Sequence, residues 1–234
     1  TITSGQANIL IVGNNASDTI NITGGSGTVA PVARSVVNLG GNSTVEVATG
    51  SGADTINMTG SRLKLDDTTS WNTVSGTGEN IQISSGSNSV SLGSSTGTGA
   101  SFLVSVSGGN DTLSLSSGKH TVDITGSSAT VSVGGGSGTL VVNDSSSTND
   151  TITLGTGSAT VNLGSGVDRL NVATTGVAAT YTVYGFTSAD SVNVTNLSTA
   201  AAVANTSYAS PDTTVHLGSA TLIIKNFDAT GRVG

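Results

Sequence analysis

An all-β fold, a parallel β-solenoid of short stacked strands closed by a C-terminal cap, is what this sequence predicts. Three observations carry the prediction. The first is a nine-residue period. The windows Asp111-Thr-Leu-Ser-Leu, His120-Thr-Val-Asp-Ile, Ala129-Thr-Val-Ser-Val and Gly138-Thr-Leu-Val-Val start nine apart. After a three-residue slip the period resumes at Asp150-Thr-Ile-Thr-Leu, Ala159-Thr-Val-Asn-Leu and Asp168-Arg-Leu-Asn-Val. The second is strict alternation of apolar and polar residues inside each window, the pattern of a strand with one buried side. The third is the absence of any eleven-residue window with helical periodicity. A nine-residue unit cannot bury its own apolar side, so it must stack on copies of itself.

The elements follow in chain order. Short strands are expected near Asn8–Val12, Thr19–Thr23, Ser35–Leu39, Thr44–Ala48, Thr55–Thr59, Arg62–Leu65, Asn80–Ser84, Ser89–Leu92 and Phe102–Val106. The regular block covers residues 111–173. There the inward pairs are Leu113/Leu115, Val122/Ile124, Val131/Val133, Leu140/Val142, Ile152/Leu154, Val161/Leu163 and Leu170/Val172. Ser114, Asp123, Ser132, Thr153, Asn162 and Asn171 stand between them and face outward. Glycines between the strands serve the tight corners. Turns without hairpin dipeptides advance the chain by one layer, which makes the stacking parallel. Final strands are expected near Thr180–Tyr184, Ser191–Thr195, Thr214–Leu217 and Thr221–Lys225. The spacing leaves open whether a coil holds two strands or three.

Three segments depart from the rhythm and read as insertions or caps: Gly25–Arg34, Asp66–Gly78 with the only Trp (Trp71), and residues 174–212. All three Tyr, and Phe186 and Phe227, fall in the last quarter. A solenoid needs its terminal layer covered. Residues 1–173 are therefore taken as the repeat region and 174–234 as the capping segment of the same solenoid. The alanine-rich run 199–205 is at most two turns of helix and equally a loop.

Composition narrows the function. Aromatic residues are 3% and charged residues 9% of the 234, which suits a repetitive scaffold better than a pocket. Phased Val, Ile and Leu argue against disorder. There is no cysteine, which removes disulfides, thiolate chemistry and zinc–cysteine sites. The formal charge of −7, with only Arg62 and Lys64 close together among the basic residues, argues against nucleic acid and anionic membrane as partners. No run of 18 apolar residues is present, so no spanning helix is expected. The first residues, Thr1-Ile-Thr-Ser-Gly5, lack Met and a charged-then-apolar leader, so a processed form or a fragment is expected.

The residues that carry chemistry are aspartates at the corners. Asp18, Asp54, Asp111, Asp150, Asp168 and Asp190 each stand just before a strand. Two complete the pattern Gly-x-Gly-x-Asp-x-apolar: Gly50-Ser-Gly52-Ala-Asp54-Thr-Ile and Gly164-Ser-Gly166-Val-Asp168-Arg-Leu. This resembles the calcium-binding nonapeptide repeat of RTX (haemolysin-type) proteins, in degenerate form and of the kind found in bacterial surface layers and adhesins. The resemblance implies a β-roll and Ca²⁺ held by turn carbonyls and the Asp carboxylate. A hard cation wants six to eight oxygens. The metal half of the repeat is eroded, with Ala159 where an Asp belongs and His120, Ala129 and Gly138 in the same slot. Corners stacked in a two-strand coil are about 18 residues apart. Asp150 and Asp168 are the pair at that spacing in the regular block, so one or two calcium ions are expected. The expected ligand set is Asp150, Asp168, Gly164, Gly166, Asp54, Gly50, Gly52, Asp111 and Asp18. The alternative is that these aspartates cap turns by accepting backbone N–H groups, with no metal.

Signals for catalysis are weak. Gly93-Ser-Ser95-Thr-Gly97 fits G-x-S-x-G but lacks the strand-to-helix turn that gives the motif meaning. His120 and His216 read as surface strand residues, Asp66-Asp67 as a solvated turn, and no acid/base dyad is formed. The outward positions mix Ser, Asp, Thr, Asn and Val, so a regular threonine array for ice is not expected. The resulting expectation is a non-enzymatic, secreted or bacterial cell-surface structural protein that self-assembles as a surface layer, filament or adhesin stalk, partly stabilised by calcium. Two alternatives stand beside it. One is a calcium-binding repeat fragment of a larger secreted enzyme or toxin. The other is a carbohydrate-binding β-helix that uses Trp71 or the C-terminal tyrosines on a cell-surface polysaccharide.

Overall fold

In the computed structural model of this chain, the structure describes residues 2–4, 9–12, 19–22, 26–30, 35–40, 44–48, 54–92, 101–107, 110–115, 119–125, 128–133, 140–145, 148–173, 178–195 and 206–228. Twenty strands and no helix occur among them. They are β1 (Ile2–Ser4), β2 (Ile9–Val12), β3 (Thr19–Ile22), β4 (Ser26–Ala30), β5 (Val36–Leu39), β6 (Thr44–Ala48), β7 (Thr55–Leu92), β8 (Ser101–Ser107), β9 (Asn110–Leu115) and β10 (Lys119–Thr125). Then come β11 (Ser128–Val133), β12 (Leu140–Asp144), β13 (Thr151–Leu154), β14 (Ala159–Asn162), β15 (Arg169–Ala173), β16 (Thr180–Tyr184) and β17 (Ser191–Thr195). The last three are β18 (Thr206–Ala209), β19 (Asp212–Leu217) and β20 (Ala220–Ile224).

Strands pair with their second neighbours, in parallel. β1 pairs with β3, β2 with β4, and so on to β14 with β16 and β15 with β17. Skipping one strand at each pairing means two strands per coil, which settles the point that spacing alone left open. β7 is one long extended run that serves both faces. Its residues 55–58 pair with β5, 62–66 with β6, 80–83 with β8 and 89–92 with β9. The architecture is a parallel β-solenoid.

Registry places like on like, because a one-residue slip would turn every apolar residue to solvent. On one face Val90, Leu113, Val131, Ile152, Leu170 and Val192 form an unbroken row. On the other, Val104, Val122, Val142, Val161, Val183 and Ile224 do the same. Almost all of these are fully buried, and together they make one continuous core between the faces. Each such side chain contributes about 1.5–3 kcal/mol by leaving water.

The polar sides are also laddered. Asn38 Nδ2 donates to Asn21 Oδ1 at 2.6 Å, and Asn57 Nδ2 donates to Asn38 Oδ1 at 2.8 Å. On the other face Asn143 donates to Asp123 at 2.8 Å and Asn162 to Asn143 at 2.7 Å. Lys64 meets Glu46, its neighbour one coil away, at 2.7 Å. These contacts are partly exposed, so each adds a few tenths of a kcal/mol at most and serves mainly to hold register.

Parallel stacking runs past residue 173 through β16 and β17. Among the described strands, antiparallel structure enters at the end. β20 lies parallel on β16, then pairs antiparallel with β19, which pairs antiparallel with β18. Phe186 and Phe227 pack edge to face beside it, with centroids 4.8 Å apart. Lys225 and Asp212 join β19 to the end of β20 at 2.7 Å. The aromatic C-terminal quarter thus covers one face with an antiparallel flap, while β17 is the last described strand of the other face.

Some expectations change. Residues 26–30, inside the segment read as an insertion, form strand β4 and stack between β2 and β6. Residues 66–78 lie within the extended run β7. His120, expected at the surface, is 2% exposed. Its register neighbour Leu140 is buried, so it occupies a core slot. Tyr181 is wholly buried and so is no sugar platform, whereas Tyr184 and Tyr208 are exposed. The segments 93–97 and 199–205 lie outside the described residues.

Candidate metal centre

The corner aspartates sit at inward positions, one alternation step before the first core residue of their strand. Asp54 precedes Ile56, Asp111 precedes Leu113, Asp150 precedes Ile152, and Asp168 precedes Leu170. All four are at most 2% exposed. A buried carboxylate needs hydrogen bonds, and the coil behind supplies one. Asp54 Oδ1 accepts the Ser35 N–H at 2.8 Å. Asp111 Oδ1 accepts both the N–H and the Nδ2 of Asn88 at 3.0 Å. Asp150 Oδ1 accepts the Ala129 N–H. Asp168 Oδ1 accepts the Asp150 N–H at 3.0 Å, and Asp190 Oδ1 accepts the Asp168 N–H at 2.9 Å. Each aspartate therefore caps the corner residue one coil earlier, 18 residues away for Asp150 and Asp168.

Asp190 is fully used: its Oδ2 accepts the N–H and hydroxyl of Thr187 at 2.7 and 3.0 Å. Asp111 and Asp168 are not, because Oδ2 of each is buried with no hydrogen-bond partner. Burial pushes Asp111 up to about 6, against the hydrogen bonds from Asn88 that pull it down. Asp168 is also raised, first by burial and then by the charges of Asp144 and Asp190, while the hydrogen bond from Asp150 opposes the shift.

One place gathers three carboxylates. Asp144, Asp150 and Asp168 are all buried and offer oxygens that lie within 4.8 Å of one another. No other group of three or more His, Cys, Asp or Glu residues comes this close among the described residues. The members come from both faces. Asp144 is the last residue of β12, continuing the inward alternation of Leu140 and Val142. Asp150 and Asp168 open the rungs β13 and β15 on the opposite face. Asp144 Oδ2 also accepts the Gly164 N–H at 3.2 Å. The turns above and below lie close: a Cβ on Gly166 would stand 1.8 Å from the Thr148 carbonyl oxygen, so only glycine fits there. Asn149 Oδ1 takes the Val167 N–H at 2.9 Å across the same gap.

Of the residues expected as ligands, the structure brings together Asp150 and Asp168, with Gly164 and Gly166 in the adjoining turn. It places Asp54 and Asp111 at separate corners as N–H caps. Asp18, Gly50 and Gly52 lie outside the described residues. Asp144 was missed. The signal was present in its inward parity after Leu140 and Val142, immediately before the three-residue slip. The donor set is oxygen only, which suits a hard cation such as Ca²⁺ and not a soft one. Oxygens up to 4.8 Å apart suit an ion bound at about 2.3–2.6 Å from each.

No protein-family model matches this chain, and no curated protein matches it in sequence.

Proposed function

We propose that this chain is a non-enzymatic structural element of a bacterial surface, a stiff β-solenoid that assembles with copies of itself into a layer, filament or stalk. The observation that carries the reading is a sheet edge, on a rigid stack, that no described strand covers. β17 pairs with β15 on one side and with no other described strand. Ser191 at its start is exposed, and the antiparallel flap covers only the other face. An uncovered edge of backbone N–H and C=O groups is a template for another strand. Two further features support the reading. The core is continuous from coil to coil, so the stack resists bending. The polar sides are tied by amide ladders.

Concentration-dependent light scattering tests this, with Ser191→Lys as the comparison. A lysine on an edge strand discourages pairing with a neighbour. The reading predicts a growing scattering mass for the native chain and a smaller one for the variant. A native chain that stays monomeric at all concentrations refutes it.

A further inference from the structure

We infer that the outward side of one solenoid face is a lateral contact surface, and that its partner is the same face of a second copy of this chain. The inference rests on the reading that copies associate, and adds a side-by-side contact to the β17 edge.

The face is built on β3, β5, residues 55–58 and 89–92 of β7, then β9, β11, β13 and β15. Its outward side chains are short: Ser, Thr, Asn and one Val, Val36. From Thr19 to Thr153 no charged residue stands among the described outward residues of this face. Arg169 is the first, and its Nε donates to Asn171 Oδ1 at 3.2 Å. The opposite face differs, because Glu46, Lys64 and Asp123 lie on its outward side. The whole chain carries a formal charge of −7, so two copies repel at most approaches. The neutral strip lets them meet without bringing like charges together.

The second observation concerns the polar groups of the strip, which bond along the stack. Asn38 donates to Asn21 at 2.6 Å, Asn57 to Asn38 at 2.8 Å, and the Ser75 hydroxyl to Asn57 at 3.0 Å. Toward the other end Asn171 donates to Thr153 and Asn193 to Asn171, both at 3.2 Å. A polar group already paired within its own face loses less when water is removed from it. Thr112, Thr130 and Thr151 follow one another in register beside this ladder and add methyl groups to the strip.

Spacing selects the partner. Rungs about 4.8 Å apart and outward residues about 6.6 Å apart along each strand make a fixed grid. A second copy carries the same grid, so side chains of one strip meet gaps of the other at every rung. Paired sheets of identical stacked side chains interdigitate in this way, and Asn ladders add to the contact. The same patch serves both copies, which makes the contact self-complementary. The strip is on the order of 500–600 Å², so two copies bury about 1,000–1,200 Å², the lower end of specific interfaces.

The experiment uses the full chain with substitutions on each face. Thr130 lies outward on the neutral strip and Thr121 outward on the other face. Sedimentation should show association that Thr130→Lys shifts to about tenfold higher concentration or more, while Thr121→Lys leaves it unchanged. The chain has no cysteine, so Thr130→Cys gives a single thiol. A short bis-maleimide should join two copies of Thr130→Cys and not two of Thr121→Cys, and adding Ser191→Lys should leave the Thr130→Cys cross-link intact. Far-UV circular dichroism checks that each variant is folded, and Thr130→Cys serves alone if Thr130→Lys is not. A native chain that associates, yet ignores Thr130→Lys and cross-links equally from both faces, overturns the lateral contact and leaves the edge reading standing. A native chain that stays monomeric overturns both. Binding of ice or a neutral polysaccharide that Thr130→Lys abolishes, with no cross-link between copies, gives the strip to another occupant and overturns the inference.

Discussion

Replacing Asp111 by Asn should stabilise the protein near neutral pH and leave it unchanged in acid. The carboxylate is 2% exposed; Oδ1 takes both donors of Asn88, and Oδ2 has none. Burial lifts its pKa from the usual 3.8 to about 6. The folded state thus binds the proton more tightly than the unfolded state. The stability this provides is fully present below 3.8 and is lost as the pH rises through about 6. Two pKa units correspond to about 3 kcal/mol, which solvent screening at the corner reduces to about 1–2 kcal/mol. Asparagine keeps an Oδ1 acceptor for Asn88 and never ionises. Urea unfolding followed by far-UV circular dichroism at about pH 4 and pH 7 measures the difference. The variant should match the native chain at the lower pH. At the higher pH it should exceed it by about 1–2 kcal/mol, or about 2–4 °C in melting temperature for each kcal/mol. A variant that is less stable at pH 7 would refute the reasoning, because it would show that the ionised form is the one the fold prefers.

Other substitutions probe other parts of the stack, each read by the same denaturation assay. Gly166→Ala forces a Cβ to 1.8 Å from the Thr148 carbonyl oxygen, and about 1–3 kcal/mol should be lost; an unaffected variant would mean that the two turns do not touch. Tyr181→Phe removes the hydroxyl that donates to the Gly155 carbonyl at 2.7 Å, and should cost about 1 kcal/mol. Leu113→Ala opens the buried row between Val90 and Val131 and should cost about 2–4 kcal/mol. Ser114→Ala, one residue on and exposed, should change stability by less than about 0.5 kcal/mol; equal effects at the two positions would contradict the register.

The fold was legible because its signal is physical and redundant. Leu113, Val131, Ile152 and Leu170 can share a row only if the strands around them stack in parallel. What the period did not show was which windows are neighbours. Adjacent windows alternate between two faces, so the outward residues of one face are diluted by those of the other. Sorted by register, Ser89, Thr112, Thr130 and Thr151 fall into one outward row, although the same positions read along the chain look mixed. Coil length also varies. His120 pairs with Leu140 and Thr130 with Thr151, so Gly138 does not share the slot of His120 that a strict nine-residue period assigns to it. His120 itself is polar in type but falls on an inward position, and position decides burial.

The candidate site was half legible for a related reason. Asp150 and Asp168 lie in the repeat, on one face and one coil apart, so spacing found them. Asp144 lies on the other face, and only the closure of the coil through residues 145–149 brings it to them. The Gly-x-Gly-x-Asp pattern was equally complete at Asp54, yet there the carboxylate caps Ser35 as Asp168 caps Asp150, and no group of three carboxylates gathers there among the described residues. A sequence pattern names the cap; the coil that passes beside it decides whether a second role is added.

Electron microscopy of the purified chain over a range of concentrations, with and without calcium, bears most directly on the claim that this solenoid is a building element. The account predicts ordered fibres or sheets that form from the isolated chain and are reduced by Ser191→Lys. A monodisperse monomer under every condition would contradict it.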